Sequence, residues 1–548
     1  MSIQSQELIS MAISAQKTRQ FYAAYPENPK AYPEEANQQG LEAFQKTLNQ
    51  DFTELAENAH SQRVGSEISP YMQVGLGVRY ASYSAEDLIK YAQEAAPAWK
   101  KTTADQRAAV LVDSLNRIST RFFEIAYATM HTTGQSFVMS FQASGPHAND
   151  RALEVVSLAW EELSRFATEL DWIKPMGKFD LKIRKTFQAI PRGIGLVIGC
   201  STFPTWNTVP GLYANLMAGN PVIVKPHPKA ILPIAIVVAE IQKALQAAGL
   251  PANLVQLAPD TLENPITKQL AEHPAVKCID YTGGSAFGDY IEELKGKTTF
   301  TEKAGVNSVI LDSVKDADPV FGNIAFSACL YSGQMCTAPQ NIFVPENGIN
   351  TANGPLTFEE VVERISGAVK GLVENPKMGP FTLGAIQNEM TVNRVDAAKK
   401  GARVALDSIP VVHPEFPDAR MKSPVVMVTE AANTTLWKQE CFGPALVVVK
   451  TKSNAESLEL AAKAAEELGA ITCLCYSTDH SFATEVAEQM NAAFTPVSFN
   501  FTGAAFVNQH AAFSDFHVTG GNPSGNAGFT NPEYVNKRFV WVGNRYAE

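Results

Sequence analysis

Three short stretches of the chain hold residues that could do chemistry. The first, Tyr331-Ser332-Gly333-Gln334-Met335-Cys336-Thr337-Ala338-Pro339, sets one cysteine between a Gly-Gln pair and a proline. An exposed thiol on such a bend, with its backbone N–H turned to a reacting carbonyl, combines a nucleophile with a donor for the oxyanion it creates. The second, Thr299-Phe300-Thr301-Glu302-Lys303-Ala304-Gly305, puts a candidate base, Glu302, at a strand end 34 residues upstream (336 − 302). The third is Gln439-Glu440-Cys441-Phe442-Gly443-Pro444. Singly, each has a plainer reading. Most cysteines are buried and inert, Glu302 could pair with Lys303, and a phenylalanine before Gly-Pro fits a core. The Gly-Gln context and the spacing to Glu302 favour the chemical reading.

In this order the stretches resemble the aldehyde dehydrogenase superfamily, with its glutamate before a glycine turn, Gly-Gln-x-Cys and Glu-x-Phe-Gly-Pro. Ile198-Gly199-Cys200-Ser201-Thr202-Phe203-Pro204, Asn220-Pro221-Val222-Ile223-Val224-Lys225-Pro226 and Tyr281-Thr282-Gly283-Gly284 fit as well, so the resemblance runs from about Tyr80 onward. Within the superfamily, 301–307 and 332–340 look most like the PaaN-type members of phenylacetic acid degradation. The resemblance implies that Cys336 attacks an aldehyde as a thiolate, that hydride passes to a nicotinamide, and that Glu302 activates the water that releases the acid. A CoA-linked semialdehyde is the implied substrate. Glu440 would hold the nicotinamide ribose, Phe442 would pack beside it, and Lys225 would reach the adenosine ribose. Ser201, Thr282, Gly283 and Gly284 would complete the cofactor contacts.

Three departures qualify that pattern. Thr202 stands where an asparagine amide usually binds the oxyanion; its hydroxyl can donate one hydrogen bond, and Asn207 is a less direct substitute. Gly284 stands where serine is common. Pro228 stands three residues past Lys225, where NAD-preferring members often carry glutamate, and His227 and Lys229 flank it. Without a carboxylate to repel a 2′-phosphate, NADP is expected to serve at least as well as NAD.

The elements that must position these residues are also legible. Residues 1–75 read as an arm of helices and loops, a packing extension rather than a tunnel cover. Ser84-Ala85-Glu86-Asp87 is a helix start, and 104–141 supply two more helices. Asp180 to Phe187 alternates as a half-exposed strand does. From Ile194, buried strands alternate with helices (194–199, 221–224, 254–257, 276–281), which predicts a parallel sheet covered on both faces. The last strand ends in Gly283-Gly284 before a helix, a turn that lets backbone approach a phosphate. The expected fold is α/β: a Rossmann-type cofactor domain (76–171 and 190–304), a second α/β domain holding Cys336 (305–522), and oligomerisation elements at 172–189 and 523–548. The apolar tail is expected to pair with the hairpin of a neighbouring subunit in a homodimer or homotetramer.

Bulk properties narrow the alternatives. The 548 residues carry a net charge of −11 with no basic patch, which argues against nucleic acid as a partner. No signal peptide or spanning segment is read, and seven cysteines without disulfide spacing fit a reducing cytoplasm. No metal-ligand spacing appears. Two rival classes remain: a non-catalytic relative, and a cysteine acyltransferase or hydrolase that would pair Cys336 with His510 or His517.

Overall fold

The computed structural model of the chain describes residues 3–59, 61–507, 512–517 and 522–547. The strand–helix alternation after Ile194 forms a five-stranded parallel sheet, in the order Val255–Leu257, Val222–Lys225, Ile194–Ile198, Val276–Thr282, Thr298–Glu302. Ile194–Ile198 and Val222–Lys225 are buried throughout. A strand covered on both faces needs apolar side chains at every position, hence a continuous apolar run instead of an alternation. The covering helices Pro204–Met217 and Leu232–Ala247 are buried along most of their length.

The parallel register decides where the site must be. Ile198 lies opposite both Lys225 and Tyr281, and Thr282 lies opposite Glu302. The turn carrying Ser201 and Thr202, the ammonium of Lys225, the glycine turn and the Glu302 carboxylate therefore emerge at one edge, the carboxyl ends of the strands.

A second sheet follows in the order Arg403–Leu406, Val425–Glu430, Ala445–Thr451, Asn341–Pro345, Ser308–Leu311, Cys473–Tyr476, Val497–Phe499. It is parallel except for the Arg403–Leu406 edge strand. Cys336 lies in the connection from the helix Ala317–Cys329 to the central strand Asn341–Pro345.

Two expectations need correction. Residues 104–144 hold three helices, Ala104–Ser119, Phe122–Thr133 and Phe137–Ser144. Gly134 ends the second with φ 87°, and a Cβ there would come 2.1 Å from the Ala385 carbonyl oxygen, so the chain must turn there on a glycine. The tail strand Phe539–Ala547 finds its partner in its own chain: it pairs antiparallel with Asp180–Pro191, from Phe539 opposite Pro191 to Ala547 opposite Ile183. The hairpin Glu169–Pro175 with Asp180–Pro191 thus becomes a three-stranded sheet. The short link through Arg538 brings the tail alongside that hairpin before any second subunit is needed.

Arg538 is fully buried. Its guanidinium forks onto Asp280 (2.7 and 2.6 Å) and lies over the rings of Phe300 and Tyr534. Asp280 also accepts from Tyr534 Oη (2.9 Å) and Asn215 Nδ2 (3.1 Å). Removing one member strands a buried charge. Asp280→Ala is therefore expected to destabilise the fold by about 3–5 kcal/mol, against less than about 1 kcal/mol for Lys537→Ala, which breaks an exposed pair with Glu533. Urea unfolding of both variants checks this, and similar small losses would contradict it.

Candidate active site

The Cys336 loop is held in a conformation that its sequence alone resists. Tyr331 and Ser332 both have φ 51° and Gly333 follows at 65°. Two consecutive non-glycine residues in the left-handed region store strain that the surroundings must offset. Tyr331 Oη donates to the Thr133 carbonyl (2.7 Å), and Ser332 Oγ reaches the carbonyls of Gly384 (3.0 Å) and Lys422 (2.9 Å). Gln334 Nε2 donates to the carbonyls of Tyr331 (3.2 Å) and Ala385 (3.1 Å). A Cβ on Gly333 would lie 2.4 Å from the Gly443 carbonyl oxygen, so the cysteine loop packs directly on the third motif.

Asn307 ties the loop to its neighbours. Its Nδ2 donates to the carbonyls of Cys336 (2.7 Å) and Ala338 (3.0 Å), and its Oδ1 accepts from the N–H groups of Ile471 (3.0 Å) and Thr472 (3.1 Å). Gln340 bridges to the third motif: its Nε2 donates to the Gln439 carbonyl and its Oε1 accepts from the Cys441 N–H.

Cys336, Glu302 and His517 converge: their sulfur, carboxylate oxygen and imidazole nitrogen lie within 4.8 Å of one another. The thiol is only partly exposed, where the sequence reading expects an open one. Burial, then the Glu302 carboxylate, push its pKa well above the ordinary value. The resting group is the thiol, and attack requires a base to take its proton. Glu302 is 2% exposed. Its Oε2 accepts from Asn207 Nδ2 (2.8 Å), and its Oε1 faces His517 Nε2 at 3.5 Å. The three donors would also suit a metal ion, but the sulfur is the atom the chemistry needs free, and we assign no metal to it.

Asn207, weighed from sequence as an oxyanion donor, donates from its amide to the Glu302 carboxylate and so positions it. Its Oδ1 lies 3.6 Å from Cys200 Sγ, and the Thr202 hydroxyl lies 4.0 Å from the same sulfur. Among the described residues no acceptor engages the Cys336 N–H, which leaves that donor available as the bend predicts.

The residues expected to hold a dinucleotide line the strand ends. Gly283 N–H bonds the Glu302 carbonyl (3.0 Å), and Tyr281 Oη donates to the Gly284 carbonyl (2.8 Å). No atom lies within 4 Å of where a Gly284 Cβ would be, so backbone is open at the start of the helix Ser285–Glu292 and suits a phosphate. Thr282 ends its strand partly exposed beside this turn. Ser201 contributes its carbonyl to Gln387 Nε2 (3.2 Å) and Thr202 its own to Gln135 Nε2 (2.7 Å), fixing their turn. Glu440 is pushed up to about 7 by burial, partly countered by Arg394, while the Phe442 carbonyl accepts from Arg394 Nη1 (2.8 Å).

Near Lys225 the structure adds a group that sequence reading missed. The buried Lys225 Nζ pairs with Asp260 at 2.6 Å, so a carboxylate stands beside this lysine although Pro228 carries none. His227 is pushed down to about 4 by burial and then by Lys225 and Lys229. It is neutral at pH 7, and its Nδ1 accepts from the Lys229 N–H (3.2 Å). Lys229 stays partly exposed, in the fields of Arg420 and Glu389. Of the two histidines considered beside Cys336, His517 reaches it; His510 lies outside the described residues.

This fold and this cysteine–glutamate site define an aldehyde-oxidising class of enzyme. The sequence profile of the aldehyde dehydrogenase family matches residues 60–536; the chain belongs to that family and is an NAD(P)-dependent oxidoreductase. It is 43% identical to an NAD-dependent aldehyde dehydrogenase from Burkholderia multivorans, with a TM-score of 0.97 over 100% of this chain and 98% of that one. A Thermus thermophilus 1-pyrroline-5-carboxylate dehydrogenase shares the fold at 20% identity, TM-score 0.77, over 96% of this chain and 99% of that one. The Bacillus subtilis 1-pyrroline-5-carboxylate dehydrogenase is 23% identical over 70% of this chain and 73% of its own length. Among the described residues no helix is long and apolar enough to cross a membrane.

Glu440 sets a pH signature. Its pKa is raised from 4.5 to about 7, so the folded state favours the neutral acid. Ionising it costs the folded state progressively as pH rises from about 4.5 through 7. Glu440→Gln is expected to match wild-type stability near pH 4.5 and to exceed it by about 1–3 kcal/mol at pH 8. Denaturant melts at the two pH values check this; a difference independent of pH would contradict it.

Proposed function

We propose that the chain oxidises an aldehyde to its carboxylic acid through a thioester on Cys336, with NADP or NAD accepting the hydride. The observation that supports it most is the Cys336 thiol set against the buried Glu302 carboxylate. Glu302 takes the thiol proton, and the sulfur adds to the aldehyde carbon. The Cys336 N–H is placed for the oxygen that becomes negative. The nicotinamide, when bound, supplies the hydride acceptor; Lys225, Thr282, Gly283, Gly284, Glu440 and Phe442 would hold the dinucleotide, with Ser201, His227 and Lys229 beside them. Once the hydride is lost, the carbonyl re-forms as a thioester on Cys336. Glu302 then takes a proton from the water that attacks it, and the acid leaves.

The PaaN-like wording of 301–307 and 332–340 favours a CoA-linked semialdehyde from aromatic acid breakdown as the substrate. A symmetric homodimer or homotetramer is supported by the apolar side chains left exposed on the three-stranded sheet, among them Ile173, Leu181, Val540 and Val542. One observation favours a second reading: His517 beside Cys336 is what a cysteine hydrolase without a redox step would want. That enzyme would leave the glycine turn idle.

A screen of aldehydes, CoA-linked semialdehydes included, with both cofactors tests the proposal at the absorbance of reduced nicotinamide. Signal is expected with at least one aldehyde and its loss in Cys336→Ala, with cofactor binding largely kept. Acid formed from a thioester with no reduced cofactor would favour the hydrolase instead.

Cofactor choice is proposed to rest on Lys229, the cation that follows Pro228 in the chain. A charge-assisted hydrogen bond is worth roughly 1.5–3 kcal/mol, so Lys229→Ala is expected to weaken NADP about 10-fold or more while sparing NAD. Equal losses in fluorescence titrations, or a wild-type enzyme that reduces only NAD, would assign the selection to Asp260 beside Lys225.

A further inference from the structure

The chemistry above uses one carboxylate twice. Glu302 takes the proton of the Cys336 thiol, and later must take a proton from water. It has to be emptied in between. Over one turnover, aldehyde, water and oxidised nicotinamide give carboxylate, reduced nicotinamide and two protons. The thiol, the attacking water and the product acid each release one, and the sulfur takes one back when it leaves. Two of these protons pass through Glu302. Its Oε2 is occupied by Asn207, so the exit must be at Oε1. That atom is buried without a hydrogen-bond partner, and so is the His517 Nε2 that faces it at 3.5 Å. Catalytic contacts of this kind are often long before substrate binds.

Resting on the dehydrogenase reading, we propose that His517 relays the thiol's proton from Glu302 toward solvent, so that Glu302 is again a base when water attacks the thioester. Glu302 is 2% and the His517 side chain 12% exposed, so the imidazole lies on the way out. Imidazole can accept a proton at one ring nitrogen and donate from the other. The ring is held by aromatic contacts, and its Nε2 makes no hydrogen bond: Phe529 stacks on it at 5.6 Å and Trp206 meets it edge-on at 4.7 Å. Among the described residues, the ionisable groups that meet it or its packing partners are Glu302 and Cys336 at the site and Arg151, whose guanidinium lies over the Trp206 ring.

The N-terminal arm, mostly outside the family match at 60–536, secures the segment that carries His517. Tyr22 meets Phe513 edge-on at 5.0 Å, Arg19 donates to the Phe513 carbonyl (3.3 Å), and its guanidinium lies over Phe516 at 3.9 Å. Glu154 Oε1 accepts from the Phe513 N–H (2.7 Å), and Gln16 of the arm donates to the Glu154 carbonyl (2.7 Å). His517 is in this account a positioning and relay residue that acts through Glu302.

The test is stopped-flow kinetics of His517→Gln and His517→Ala with NAD and propionaldehyde. The relay predicts one equivalent of reduced nicotinamide formed at close to the wild-type rate, then a steady state slowed about 100-fold, restored in His517→Ala by added imidazole. A steady state within twofold of wild type overturns it. So does loss of the burst with no imidazole rescue, which would mark a packing residue. A wild-type enzyme that forms no reduced nicotinamide sinks the dehydrogenase reading itself. The relay falls with it, since it rests on that reading.

Discussion

A carboxylate shut away from water is tolerated only if its charge is met by donors, and the site is built around that requirement at Glu302. The strand Thr298–Glu302 delivers the residue to the sheet edge, where its backbone is zipped to the 522–526 segment. Asn526 N–H bonds the Thr301 carbonyl (2.8 Å), Asn526 Oδ1 accepts from the Thr301 N–H (2.8 Å), and Lys303 N–H bonds the Ser524 carbonyl. The helix Pro204–Met217 brings Asn207 to one carboxylate oxygen and Trp206 to the histidine that faces the other. The thiol then has the Glu302 carboxylate beside it as a base, and the same negative charge that awaits its proton helps keep the resting sulfur protonated. Nucleophile and base are coupled by proximity, with reactivity arising only when a proton moves.

The second constraint is the shape of the cysteine loop. Tyr331 and Ser332 hold unfavourable φ values because the hydrogen bonds they donate to carbonyls of three separate segments over-determine them. Asn307 closes the arrangement, since one amide satisfies two carbonyls of the loop and two N–H groups before the strand Cys473–Tyr476. Replacing it would leave four backbone groups to find partners elsewhere, each at a cost of about 1–3 kcal/mol if buried.

Much of this was legible in the sequence. The strands from Ile194 to Glu302 could be read because a sheet covered on both faces forces unbroken apolar runs, and the parallel register then places the motifs at one edge. Cys336 and Glu302 were visible through local context. The partners of Glu302 were not. Asn207 and Asn307 are ordinary asparagines whose value lies in where their amides end up, and His517 is 215 residues from the carboxylate it faces (517 − 302). Asp260 was not legible because it lies past a neighbouring strand, 32 residues beyond Pro228 (260 − 228), and meets Lys225 only in the folded sheet. The tail misled for a related reason: an unpartnered strand demands pairing, but sequence does not say from which chain.

The central claim is that the Cys336 sulfur carries the acyl group and Glu302 releases it. Peptide mapping by mass spectrometry of Glu302→Gln, quenched in acid after mixing with NAD and propionaldehyde, tests this most directly. The account predicts that the propionyl group gathers slowly on the peptide containing Cys336, because the thiol has lost its base, and that it then stays there unreleased, in proportion to the reduced cofactor formed. Reduced cofactor with Cys336 unmodified, or the acyl group on Cys200 beside it, would contradict it.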